Sequence, residues 1–125
     1  MILIFGGVYQ GKLAYAQNRF NLTESDIYVC GENIIMPENK RLVYEIDKWF
    51  LALVKAGMDT EEMTRRFIER NSNAIVICND VSCGIVPTEA VLRKWREAVG
   101  RSLAQLSQHS NEVVRLFCGI PTRIK

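Results

Sequence analysis

One histidine stands in the 125-residue chain, and none of its four cysteines is spaced as C-x-x-C. A Cys/His zinc site needs more ligands than that, so a structural zinc module is excluded and no metal-ligating residues are expected. Long hydrophobic runs are missing too. Ala74-Ile75-Val76-Ile77-Cys78 is characteristic, where a membrane-spanning helix needs about 20 apolar residues. Met1-Ile2-Leu3-Ile4-Phe5 has neither the basic flank nor the cleavage site of a signal peptide, so a cytoplasmic protein is expected. Charge of one sign is scarce: sixteen basic against fourteen acidic residues leave +2, too little to argue for a nucleic-acid partner.

What is present is ordinary globular composition, 48% apolar, 24% charged and 9% aromatic, which excludes disorder and disulfide scaffolds. The length suits one domain over residues 1–125. Residues 1–62 hold six basic and nine acidic side chains (−3), and residues 63–125 hold ten and five (+5). Such a split reads as solvated helix faces, or as a contact for a phosphate-bearing ligand or another copy. Cys30, Cys78 and Cys118 each close an apolar strand-like run and read as core thiols.

Apolar patterning places strands at Ile2–Phe5, Asp26–Cys30, Ala74–Cys78 and Glu112–Cys118. Helices are expected over Lys12–Phe20, Glu38–Lys55, Asp59 to about Arg70, and Thr88 to about Gln108. Asp59 and Glu62 have the spacing of a capping box, and Thr88 suits an N-cap. Gly119-Ile120-Pro121 should end the last strand. The order β-α-β-α-α-β-α-β predicts a three-layer α/β domain with a mostly parallel sheet of about four strands. Ligands in such sheets sit at the carboxyl ends of the strands. Two sheet edges and a short chain also predict a homo-oligomer, with Arg93, Lys94, Arg96 and Arg101 offered to an acidic partner surface.

Gly6-Gly7-Val8-Tyr9-Gln10-Gly11-Lys12-Leu13 follows the first strand and opens the first helix. The pattern G-x-x-x-x-G-K is complete. Its glycines let backbone N–H groups curl around phosphates, and its lysine reaches the outer oxygens. Gly6, Gly7, Gln10, Gly11, Lys12 and Leu13 are therefore the candidate nucleotide-binding residues. The Ser or Thr that normally binds Mg²⁺ is replaced by Leu13.

Further along stand Asn79-Asp80-Val81-x-x-Gly84-Ile85-Val86-Pro87, Arg93-x-x-Arg96-Glu97-x-x-Gly100-Arg101, Asn111-Glu112-Val113, Gly119-Ile120-Pro121 and Ile124-Lys125. In order and spacing these segments resemble the bifunctional adenosylcobinamide kinase/adenosylcobinamide-phosphate guanylyltransferase family of cobalamin biosynthesis. The resemblance implies a P-loop NTPase-like (RecA-like) fold, GTP or ATP as cofactor, a cobinamide-type corrinoid as partner, and a homo-oligomer, usually a trimer. The implied chemistry is phosphorylation of the cobinamide hydroxyl, then transfer of GMP. By position it assigns Lys12 and Asp80 as catalytic residues.

The chain departs from the family at several places. No segment matches the family's H-x-x-x-R, whose histidine becomes guanylylated; His109 lies elsewhere, near the end of the last helix. Tyr44 stands where the family carries an acidic strand residue, with Glu45 and Asp47 as neighbours. Loss of guanylyltransferase activity is expected. A kinase-like enzyme and a non-catalytic nucleotide- or corrinoid-binding module or partner subunit are both open readings.

Overall fold

The computed structural model describes residues 1–81 and 88–125. The sequence segment Gly84-Ile85-Val86-Pro87, with Ser82 and Cys83, lies outside the described residues.

Strands β1 (Ile2–Gly6), β2 (Ile27–Val29), β3 (Leu42–Tyr44), β4 (Ile75–Asn79), β5 (Glu112–Phe117) and β6 (Ile120–Arg123) form one sheet in the order β2-β3-β4-β1-β5-β6. All pairings are parallel except β5 with β6. Helices α1 (Lys12–Phe20), α2 (Ile46–Lys55), α3 (Thr60–Arg70) and α4 (Ala90–His109) cover its faces. Pleating sends successive side chains to opposite sides. Ile4, Leu42, Ile75, Ile77 and Leu116 pack under α1. Leu3, Val43, Val76, Cys78 and Val113 pack under α2, α3 and α4, around Trp49, Phe50 and Phe67. The result is the expected three-layer P-loop-like fold, with a sheet buried on both faces in its centre.

Four local readings are corrected. The expected helix Glu38–Lys55 is β3 followed by α2. Leu42 and Ile46 are four apart, as on one helix face, yet they enter opposite cores. The alternation of Leu42 and Val43 between the two faces is the strand's signature, and with β6 it raises the expected four strands to six among the described residues. Asp59 does cap α3, accepting from the Glu61 and Glu62 N–H groups at 3.1 and 3.2 Å. Glu62 instead pairs with Arg65 and Arg66, so only half of the capping box forms. Helix α4 starts with Glu89 as N-cap, and the Thr88 carbonyl accepts from Arg93.

Fourth, the chain does not stop at Gly119. Cys118 (φ +51°) and Gly119 (φ +74°) make a two-residue turn into β6. Positive φ at both central residues is what a tight hairpin turn demands. Pro121 is tolerated because β6 is an edge strand. The same turn puts Cys118 at the surface, whereas Cys30 and Cys78 are buried as expected.

Candidate functional site

Strands β1, β3 and β4 end on the same side of the sheet, and the segment Gly6–Lys12 rises from the end of β1 into α1. Gly6 is required by close packing: a Cβ there would collide with the Leu116 carbonyl of β5. The left-handed Gly11 (φ +82°) then turns the chain into the helix. Lys12 lies folded beneath the loop, 5% exposed, with Nζ donating to the Gly7 carbonyl at 2.5 Å. Burial pulls its pKa down, and the carboxylates of Asp47 and Glu45 work in the opposite direction.

Gln10 also reaches across to the β5–β6 turn. Its Oε1 accepts the Cys118 N–H, and its carbonyl accepts the Gly119 N–H at 3.2 Å. The β5–β6 turn is thereby fastened to the loop. Tyr9 stands at the loop's tip, left-handed and fully exposed. Leu13 packs partly into the core beneath α1 and offers no donor atom.

A cavity of about 420 Å³ opens in front of the loop, lined by Gly11, Lys12, Leu13, Tyr44, Glu45 and Asn79 among others. A second, of about 540 Å³, lies beside it and is more apolar, with Leu51, Val81 and Trp95 in its wall. The two share Val8, Glu45 and Asn79. Both volumes fall in the range of small-molecule sites, about 300–1,000 Å³.

Glu45 is the residue at the junction. It ends β3 and N-caps α2 in a left-handed conformation (φ +57°, ψ +49°), which costs a non-glycine residue about 1–2 kcal/mol. Its carboxylate accepts from Lys48 Nζ at 3.2 Å and Asn79 Nδ2 at 3.4 Å. Asp47 is buried and accepts the Asn79 backbone N–H at 3.0 Å and its Nδ2 at 3.4 Å. Burial pushes the Asp47 pKa up against these hydrogen bonds. The Asp47 carbonyl in turn accepts from Trp95 Nε1 at 2.8 Å, so α4 is tied to the site through α2.

Of the residues expected at the site, Gly11, Lys12, Leu13 and Gln10 line the cavity in front of the loop. Asp80 follows β4, with its N–H on the Gly6 carbonyl at 2.8 Å. His109 ends α4, where its Nδ1 lies 3.1 Å from the Gln105 carbonyl. That is the end of the sheet where β5 begins, opposite the loop. Sequence reasoning did not assign Asn79, Trp95 and Val8 to the site, and it had Glu45 inside a helix. The signal for Glu45 was its place as the first acid after a short alternating strand.

The residues described do not fit the usual metal position of a phosphate loop. Leu13 has no ligand atom, Asp47 is engaged by Asn79, and Glu45 is paired with Lys48. Among the described residues no group of three or more His, Cys, Asp or Glu could hold a metal. Among them, too, no helix is long and apolar enough to cross a membrane.

Comparison with curated proteins gives no match. The family model for cobinamide kinase / cobinamide phosphate guanyltransferase matches residues 39–124, which runs from just before β3, through Glu45, Asn79 and Trp95, to the end of β6. That match covers well over half of the chain, and the Gly6–Lys12 loop precedes it. The P-loop-like fold, joined to that match, means that this chain belongs to the cobinamide kinase / cobinamide phosphate guanyltransferase family.

Proposed function

We propose that the protein binds a nucleoside triphosphate, ATP or GTP, by its phosphates in the loop Gly6–Lys12. It passes the terminal phosphoryl group to the hydroxyl of a cobinamide-type corrinoid. The carrying observation is that two cavities, one holding Lys12 and one walled by Leu51, Val81 and Trp95, meet at Glu45. A donor and an acceptor placed there would face each other across one carboxylate.

In this reading the loop's N–H groups, the start of α1 and Lys12 bind the phosphates and oppose the charge that develops in transfer. Lys12 is held ready by Gly7 and exchanges that carbonyl for phosphate oxygens. The acceptor's arm enters the apolar cavity. Glu45 orients its hydroxyl and takes the proton as the oxygen bonds to the γ-phosphorus and the bond to the β-phosphate oxygen breaks. A nucleoside diphosphate leaves. Phosphoryl transfer depends chiefly on such positioning and charge stabilisation. Asp80, beside Gly6, is a second carboxylate at the same strand ends.

Guanylyl transfer through a histidine is not part of the proposal. His109 lies at the opposite end of the strands from Lys12. Labelled GTP should leave no acid-labile protein–GMP adduct, and stoichiometric labelling of His109 would overturn that statement.

The test is incubation with γ-labelled ATP or GTP and cobinamide, with product read by mass spectrometry. Phosphocobinamide should form, and fall at least tenfold in Lys12→Ala and in Glu45→Gln. Leu13 favours a second reading, nucleotide binding without transfer. Nucleotide bound with no product would decide for it.

A further inference from the structure

A phosphate loop ordinarily shares its charge problem with a divalent cation, held by a hydroxyl directly after the lysine and by an acid on a strand. Neither group stands at its place in this chain. The residue after Lys12 is Leu13, and β3 ends in Tyr44 where the acid is expected. The structure brings these two replacements together. Leu13 and Tyr44 line the same cavity as Lys12, and both pack partly against the core beneath α1.

We propose that the Tyr44 hydroxyl takes the cation's part, donating a hydrogen bond to a phosphate oxygen beside Lys12, so that the site grips a nucleoside triphosphate without a divalent cation held by the protein. The proposal rests on the reading of Gly6–Lys12 as the phosphate site. Three observations support it. First, the two replacements make sense only as a pair. Lys12 is the one cation among the residues described in the cavity wall. With no metal ligand at residue 13, an acid at residue 44 would face the phosphates as an uncompensated like charge. A neutral hydroxyl removes that repulsion and supplies a donor.

Second, the side chain is aimed and unengaged. Leu42 and Tyr44 are two apart on β3 and so lie on the α1 side of the sheet, the side on which Leu13 and Ala14 bound the cavity. The Tyr44 hydroxyl makes no hydrogen bond to the described residues. The neighbouring acids are otherwise occupied, Glu45 by Lys48 and Asn79, and Asp47 by Asn79. Third, burial raises the Tyr44 pKa and the Glu45 carboxylate raises it further. The hydroxyl therefore keeps its proton at neutral pH and acts as a donor. A hydrogen bond to an ionised phosphate is among the strong ones.

Calorimetric affinity for ATP and GTP, each with excess Mg²⁺ and with EDTA, tests the assignment on wild-type protein, Tyr44→Phe, Lys12→Ala and the double variant Leu13→Ser/Tyr44→Asp. Wild type should bind the tighter nucleotide with less than a tenfold difference between the two conditions. Tyr44→Phe keeps the ring and removes only the hydroxyl. It should bind at least tenfold more weakly in both conditions, with the melting temperature of the free protein unchanged. The double variant restores a hydroxyl and an acid to the two cation positions, and should bind at least tenfold more tightly with Mg²⁺ than with EDTA. Wild-type affinity in Tyr44→Phe would overturn the proposal. So would a loss of tenfold or more when wild type is moved into EDTA, or a double variant that gains less than tenfold from Mg²⁺. Lys12→Ala that binds as wild type does, or wild type that binds neither nucleotide, would instead overturn the phosphate site itself, and the role of Tyr44 with it. Should the double variant fail to fold, Tyr44→Phe against wild type in the two conditions decides.

Discussion

Lys12 is held by the fold against its solvation preference. The fold buries it, so its pKa is lowered and the charged form is disfavoured relative to the unfolded chain. That cost is full below the folded-state pKa. It fades as pH rises through that value towards the ordinary 10.5. Lys12→Met should therefore melt at an equal or higher temperature than wild type near neutral pH, and the gap should narrow at alkaline pH. The same variant should lose the thermal shift that ATP or GTP gives wild type, because charge-assisted contacts to phosphate are worth about 1.5–3 kcal/mol. A Lys12→Met protein that still gains stability from nucleotide would remove the lysine from the site. Because Leu13 supplies no metal ligand, chelating Mg²⁺ should alter nucleotide affinity less than tenfold in the same assay. The buried thiols behave in a related way. Burial pushes Cys30 up to about 12 and raises Cys78 as well, so a thiol reagent at neutral pH should label Cys118 and leave those two untouched until the protein unfolds. Peptide mapping after labelling reads this directly.

At the scale of elements, the α3 cap is the cleanest test. Asp59 satisfies two N–H groups that the helix cannot. Asp59→Ala should cost about 1 kcal/mol, measured as a shift in the urea midpoint with unchanged slope. This cap was legible from the sequence because capping is local chemistry. So were the strands β1, β4 and β5, whose apolar runs are bounded by turn residues, and the loop Gly6–Lys12, whose glycines and lysine carry the pattern on their own. Strand β3 was not legible. Three residues are too few to establish a period, and Leu42, Ile46, Trp49 and Phe50 imitate one helix face. The misreading left Glu45 as no more than a neighbour of Tyr44 within a helix, where an acid is ordinary; an acid at a strand end beside the loop Gly6–Lys12 is not. Strand β6 escaped for a different reason. Its four residues are all exposed, so no hydrophobic alternation marks them, and Pro121 argues locally against a strand. What makes them a strand is pairing with β5, a non-local fact. Trp95 packs partly into the core. Its second role, donating to the Asp47 carbonyl, depends on how α4 crosses α2.

The molecule as a whole is unevenly covered, and this bears on assembly. Helix α1 alone packs on one face of the sheet, while three helices share the other. Strands β2 and β6 are its edges. At the β6 edge Phe117 and Ile120 are paired in register and so share a face, and they are 62% and 66% exposed. Neighbouring exposed apolar side chains at a sheet edge invite contact with another chain. We infer that copies of this chain associate through the β5–β6 hairpin. The arrangement would bring a second copy close to the turn that Gln10 fastens to the phosphate loop, so assembly and ligand binding would support each other. Light scattering at micromolar concentration should give a mass that is a multiple of 14.3 kDa. Phe117→Asp, which puts a charge on the exposed face without touching the buried core, should return it to a single chain. A mass near 14 kDa for the wild type at every accessible concentration would overturn the inference. An unchanged multimer in Phe117→Asp would move the contact away from β5 and β6, and the other edge, where Val29 is exposed in β2, would then be the place to substitute.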